Sequence, residues 1–385
     1  MTIETLQLDC LRTCLSSTMR QNTSPTPTQP GRWIITKFGS PSVLKWETFN
    51  LPQDIPTNHV LVRILTAGIA GPDNIQRAGG YPNTRCSKPG FTPGYDFVGE
   101  VVAQSSSSTN AFNIGDRVAS MCMIGAHATH IVLPATELIR IEHTDDPIQV
   151  SALPLNYMTA WGMLKRSGVS LPPGSSILIG SASGGVGTAM AQLVHAFDLQ
   201  LHMIGTCSRS KFEYVRSLGV TPVDRTAPDL VDQVRALTRG EGVDVAYDAV
   251  GSEDSLQKSH RATKDEVGQV IAIGVMGEIA SDGSGMSQAN FDAAAILASR
   301  KQPRMKYWGV EREYYQDTRD MWLQDFHAIL QKVRNGKLKP EVARLFKLSQ
   351  AIEANEALVS GAAIKGEMIF VVDEELAIKV DRLDM

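Results

Sequence analysis

A chain of 385 residues exceeds one average domain, so two domains with substantial buried cores are expected. Its 37 Lys+Arg against 41 Asp+Glu give a formal charge of -4 with no basic cluster, which excludes an electrostatic footprint for nucleic acid and favours small-molecule chemistry. Five scattered cysteines (Cys10, Cys14, Cys86, Cys122, Cys207) fit free thiols in a reducing compartment, and no apolar run approaches the ~18 residues of a membrane span, so a cytoplasmic protein is expected.

Residues 1–31 read as a poorly ordered tail. Glu4 and Asp9 argue against a transit peptide, no apolar stretch suits a secretory signal, and QNTSPTPTQPG at 21–31 has linker composition. From residue 32 to about 152 the pattern is short strands separated by Gly and Pro: HVLVRILTAGIA at 59–70, YDFVGEVVA at 95–103, NIGDRVASM at 113–121 after the Ser-rich turn SSSSTN at 105–110, and THIVLP at 129–134. This predicts an all-β domain.

Residues 153–313 predict a doubly wound α/β domain. SSILIGSASGGVG at 175–187 is an apolar strand entering a glycine-dense turn, and TAMAQLVHAF follows as a helix with Val186, Ala189, Met190, Leu193, Val194 and Phe197 at helical spacing. Gly184 lets backbone approach a pyrophosphate, Gly187 lets the helix pack on its strand, and the free amides of the helix start face the anion. Ala182 stands where the first glycine of G-x-G-x-x-G is usual. Strand and helix then alternate through HMIGT at 202–206, a helix over 211–218, TPVD at 221–224, DLVDQVRALTRG at 229–240, VDVAYDAVG at 243–251 and QVIAIG at 269–274. The cofactor-binding candidates are Ser183, Gly184, Gly185, Val186 and Gly187 in the turn, with Val250 and Gly274 near the ends of two later strands. Residues 314–385 return to the first domain through a helix in WLQDFHAILQKVRNGKLKP at 322–340, ending at Gly336, and a strand in EMIFVVD at 367–373.

Together, AGIAGPD at 67–73, GGYP at 79–82, PGYDFVGEVV at 93–102, GDRV at 115–118, LNYMTAWGML at 155–164, GSASGGVG at 180–187, YDAVG at 247–251 and GKLKP at 336–340 resemble the medium-chain dehydrogenase/reductases, in the zinc-independent quinone oxidoreductase branch. The resemblance covers residues ~31–375. It implies a GroES-like β-barrel catalytic domain built from both chain ends, a Rossmann domain between them, and a cleft along their seam. It also implies where zinc relatives carry ligands: their catalytic cysteine falls at Ala70, and their Gly-His-Glu is Gly94-Tyr95-Asp96. The four-cysteine lobe is reduced to Cys122, and three-residue spacing puts His127 and His130 on opposite faces of a strand, so no metal is expected.

NAD-preferring Rossmann folds place Asp or Glu after the second strand, where this chain has Thr206-Cys207-Ser208-Arg209. Ser208, Arg209 and Lys211 are donors suited to a 2′-phosphate, and NADPH is the expected cofactor. The resemblance puts Arg225 where quinone oxidoreductases often have a Tyr near that phosphate, and Gly361 where many relatives have an arginine. It also places Asn156 and Thr159 at the nicotinamide and borders the cleft with Tyr81 and Tyr95, the candidate proton donors.

The expected reaction is metal-independent reduction of a quinone or α,β-unsaturated carbonyl by NADPH. Two alternatives stay open: a trans-acting enoyl reductase of polyketide or acyl biosynthesis, and a non-redox NADPH-binding member, cyclase-like or partner-binding, which the loss of a polar residue at Ala70 mildly favours. A homodimer is expected by resemblance, through the edge strand RMKYWGV at 304–310, where Tyr307 and Trp308 would otherwise expose aromatic surface.

Overall fold

The computed structural model describes residues 29–105, 112–280, 283, 285, 298, 300–361 and 364–378. The expected N-terminal tail, with Cys10 and Cys14, lies outside them, as does most of the Ser-rich turn; only its first residue, Ser105, is described.

In chain order the strands are β1 (Gly31–Ile35), β2 (Leu44–Thr48), β3 (His59–Ile69), β4 (Phe97–Gln104), β5 (Arg117–Ser120), β6 (His130–Pro134), β7 (Ile139–Arg140), β8 (Ser176–Ile179), β9 (His202–Cys207), β10 (Thr221–Asp224), β11 (Val245–Asp248), β12 (Gln269–Ala272), β13 (Met305–Tyr307), β14 (Val342–Lys347) and β15 (Glu367–Val371). Strands β10-β9-β8-β11-β12-β13 form one sheet with every pairing parallel, the doubly wound order 3-2-1-4-5-6. A second, seven-stranded sheet runs β14-β15-β3-β4-β5-β7, with β6 on β3. The late strand β15 lies antiparallel to the early strand β3, pairing Met368 with Ile69 and Phe370 with Ala67, so both chain ends build the GroES-like lobe. Among the described residues no helix is long and apolar enough to cross a membrane.

Local chemistry explains the glycine turn. An added Cβ on Gly187 would stand 2.6 Å from the Ser181 carbonyl oxygen and 2.7 Å from the Ala182 Cα, so only glycine allows the helix Gly185–Ala196 to lie this close to its strand. The methyl of Ala182 is accommodated by a second glycine: a Cβ on Gly205 of β9 would lie 2.5 Å from it. The missing first glycine is thus compensated across the sheet.

The expected exposed edge needs a correction. β13 does end the sheet, but it spans only Met305–Tyr307, and Trp308 is buried rather than exposed. The chain turns inward there, and the indole fills the space over Gly162, where a Cβ would stand 2.3 Å from the Trp308 ring. Tyr307 remains an exposed aromatic residue. Cys86, Cys122 and Cys207 are free and buried.

Candidate active site

The helix Gly71–Ala78 of the barrel lobe organises one wall of the seam. Asp73 accepts the Ala70 amide at 2.8 Å with one carboxylate oxygen and the Gly94 amide at 3.1 Å with the other, locking the helix start to the Gly94-Tyr95-Asp96 segment. Burial raises the Asp73 pKa, opposed chiefly by His127. Where zinc relatives would have ligands, Ala70 therefore offers only a capped backbone, and the Tyr95 hydroxyl turns to another phenol. Cys122 is buried beside the Gly94 and Tyr95 carbonyls, and burial raises its thiol pKa. His127 is buried with Nε2 3.0 Å from the Gly68 carbonyl, whereas His130 is half-buried beside Thr129. These residues do not fit a zinc ion, and among the described residues no group of three or more His, Cys, Asp or Glu is placed to hold a metal.

Tyr81 and Tyr95 come together. Their hydroxyl oxygens lie 2.7 Å apart and their rings meet edge to face at 6.0 Å. Tyr81 donates to Glu311 Oε2 at 2.9 Å, and Asn83 donates to Glu311 Oε1 at 2.8 Å. Burial raises the pKa of both phenols, and the Glu311 charge adds to the rise. Tyr81, on the barrel lobe, also packs against an apolar cluster built mainly of Rossmann residues such as Leu178, Val243 and Val270, which places the pair at the seam.

LNYMTA supplies the second wall. Leu153–Tyr157 form a π-helical turn leading into the helix Met158–Lys165. Leu155 donates its amide to buried Asp96 at 3.1 Å. Asn156 rests on the dinucleotide turn, where a Cβ on Gly185 would lie 2.4 Å from its Nδ2. The Thr159 hydroxyl is buried without a hydrogen-bond partner. An orphaned polar atom here fits a site that a polar ligand completes.

Behind Asn156 lies a pair that sequence reasoning missed. Asp96 and Glu367 are both buried and converge on the bare face of Gly68, where a Cβ would stand 2.2 Å from Asp96 Oδ1 and 3.0 Å from Glu367 Oε1. Asp96 Oδ1 has no hydrogen-bond partner, while Glu367 faces the Asn156 amide, which opposes the rise of its pKa. Burial raises both pKa values well above the carboxylate range; the Asp73 charge adds to the rise at Asp96, and the charges of Asp96 and then Asp73 add to it at Glu367.

The corner beyond β9 and β10 gathers cations. Lys211 donates to the carbonyls of Gly361 at 2.8 Å and Ile364 at 2.9 Å, and burial, then Arg225, lowers its pKa. Lys365 also acts on Lys211, and its ammonium lies 5.6 Å from the centre of the Tyr214 ring. Lys365 was not singled out from sequence, because only the fold brings it back to this corner. Arg209 is largely solvated and donates to Asp224 at 2.6 Å, holding that carboxyl down to about 2. The Ser208 hydroxyl, of a half-buried residue, lies 3.2 Å from that of Ser210. Val250 and Gly274 meet where β11 and β12 end. Val250 donates its amide to Asp248 at 2.8 Å, and a Cβ on the adjacent Gly251 would lie 2.3 Å from the Gly274 carbonyl oxygen.

This architecture defines a two-lobed dehydrogenase/reductase lacking a zinc ligand set. Residues 56–143 match the alcohol dehydrogenase GroES-like domain, and residues 185–321 match the family model described as zinc-binding dehydrogenase. The chain is 30% identical over 331 residues to a quinone oxidoreductase-like protein 2 homolog of Nematostella vectensis, covering 84% of each. It is 27% identical to a synaptic vesicle membrane protein VAT-1 homolog of Danio rerio, matching 83% of this chain and spanning only 66% of that protein. The Escherichia coli quinone oxidoreductase, solved in complex with NADPH, superposes with a TM-score of 0.74 at 25% identity, over 89% of this chain and 100% of that one. The chain belongs to the medium-chain dehydrogenase/reductase family of oxidoreductases, in its zinc-independent, quinone oxidoreductase-like branch.

Proposed function

We propose that this protein uses NADPH to reduce a quinone or an α,β-unsaturated carbonyl without a metal. The observation that carries the reading is the Tyr81–Tyr95 hydroxyl pair, 2.7 Å apart at the seam, in which Tyr95 occupies a position that zinc relatives use for a ligand. A substrate carbonyl there meets a phenol donor rather than a Lewis acid.

NADPH, when bound, supplies hydride to the electrophilic carbon. Ser183, Gly184, Gly185, Val186 and Gly187 hold its pyrophosphate, with Val250 and Gly274 beside the cofactor, and Asn156 and Thr159 hold its nicotinamide. Ser208, Lys211, Arg225 and Lys365 receive its 2′-phosphate, joined by Arg209 when it leaves Asp224. Tyr81 hydrogen-bonds the oxygen on which charge gathers and gives the proton that completes reduction, while Tyr95 orients Tyr81. Residues 32–152 and 314–385 act as the catalytic domain and residues 153–313 as the cofactor domain. The protein works in the cytoplasm as a homodimer joined at β13, an assembly that light scattering at micromolar concentration tests directly.

The reading is tested by following NADPH absorbance with quinones, enones and acyl thioesters. Deuteride from C4-labelled cofactor is expected on the carbon β to an enone carbonyl, and Tyr81→Phe should lower kcat about 10²-fold or more. Tight NADPH binding without hydride transfer to any of these substrates would refute it.

A further inference from the structure

Glu311 follows the last strand of the Rossmann sheet, yet its carboxylate binds side chains of the barrel lobe. Oε1 accepts from Asn83 Nδ2, and the orientation of that amide is fixed because its Oδ1 accepts the Arg85 amide at 2.9 Å. Oε2 accepts the single hydrogen of the Tyr81 hydroxyl, so in the 2.7 Å contact between the phenols Tyr95 must donate to Tyr81. Both phenol hydrogens therefore run toward Glu311. With Glu311 ionised, neither is left for a substrate.

One added proton reverses this order. Asn83 keeps Oε1 an acceptor, so the proton settles on Oε2, which then donates to Tyr81. The Tyr81 oxygen now accepts from Glu311 and from Tyr95, and its own hydrogen is released to the cleft. Glu311 is half-buried and so keeps contact with solvent.

We propose that Glu311 arms Tyr81 for proton delivery and reprotonates it afterwards, a positioning and proton-relay role that rests on the reduction reading. In the step, the Tyr81 O–H bond breaks as its proton passes to the reduced substrate. The phenolate takes the Oε2 proton of Glu311, and Glu311 recovers one from water. Charge balances with no further reductant. The groups facing the cluster are Arg85 and Cys86 from the turn Thr84–Cys86, Tyr307 from β13, and Asp96 behind Tyr95. The Cys86 thiol, pushed up to about 11 by burial, does not compete as a proton source near neutral pH.

Glu311→Gln preserves hydrogen bonds to Asn83 and Tyr81 but removes the transferable proton. The variant should lose about 10²-fold in kcat and change the kcat–pH profile, with KM for NADPH within about twofold, since Glu311 is not part of the cofactor site. In the cofactor-free protein, the tyrosinate absorbance assigned to Tyr81 by comparison with Tyr81→Phe should appear at lower pH in Glu311→Gln, because the repelling charge is gone. A kcat–pH profile in the variant that superimposes on the wild type would overturn the relay. If the wild type oxidises no NADPH with any quinone or enone, the reduction reading fails by itself; an unmoved Tyr81 titration in Glu311→Gln would then overturn the coupling too, and a lowered one would uphold it.

Discussion

Gly366 donates its amide hydrogen to the carbonyl of Ser183 at 3.2 Å, so the segment returning the chain to the barrel is pinned on the dinucleotide turn. The next residue, Glu367, opens β15 and reaches Gly68 and Asp96 in the barrel lobe. The glycine turn and the barrel lobe are therefore joined by one strand end. A change at this junction should register at both.

Gly366→Ala tests that coupling. Gly366 has φ +95, and an added Cβ would stand 2.5 Å from the Glu341 carbonyl oxygen, so the variant meets both backbone strain and a backbone clash. Strain of this kind costs about 1–3 kcal/mol. Melting temperature and NADPH affinity are expected to fall together. A variant that melts lower with unchanged NADPH affinity would separate the strand end from the turn.

Much of the fold was legible because its signals are local. The glycine turn, the alternation of strand and helix from Ser176 to Ala272 and the barrel strand β3 are each written in a short stretch of sequence. The site was legible only in parts, because its decisive contacts are distant in sequence. Glu311 lies 230 residues from Tyr81, and nothing in the pattern EREYY at 311–315 marks it as their partner. Lys365 precedes and Glu367 opens the terminal strand EMIFVVD, and no local pattern marks either. The exposed reading of Trp308 failed for a similar reason: the space it fills is made by Gly162, in another element.

Cofactor choice should depend on Arg225 and Lys365 more cleanly than on Lys211. Lys211 also ties down the carbonyls of Gly361 and Ile364, so Lys211→Ala should weaken both NADPH and NADH and lower the melting temperature. Arg225→Ala and Lys365→Ala should each weaken NADPH selectively. A charge-assisted hydrogen bond contributes about 1.5–3 kcal/mol and ~1.4 kcal/mol is tenfold in affinity, so about tenfold per residue is expected. Calorimetric titration with both cofactors measures this; equal losses for NADPH and NADH would remove these cations from the 2′-phosphate site.

The Asp96–Glu367 pair gives stability a pH dependence of known sign. Both folded-state pKa values lie above those of the unfolded chain, so between the two the folded protein holds protons that unfolding releases. Their contribution is complete below the unfolded values and is lost as pH rises through the folded ones. The wild-type melting temperature should fall as pH rises from mildly acidic to alkaline. Glu367→Gln, which cannot ionise, should flatten that fall and melt higher at the alkaline end. Parallel melting curves across pH for the two proteins would show that the pair does not titrate in this range.

Thr159→Val should move stability and binding in opposite directions. The Thr159 hydroxyl is buried with no partner, and leaving such a group unsatisfied costs about 1–3 kcal/mol, a cost the nearly isosteric valine removes. The cofactor-free variant is thus expected to melt at or above the wild type. If the hydroxyl meets the nicotinamide, its loss leaves a polar group of the ligand without a partner, and NADPH affinity should drop about tenfold. Thermal melts with and without NADPH read both effects in one experiment, since at a fixed concentration a ligand stabilises the folded protein by an amount that grows with the logarithm of its affinity. A variant that melts higher alone and gains the full wild-type increment from NADPH would place the nicotinamide away from Thr159.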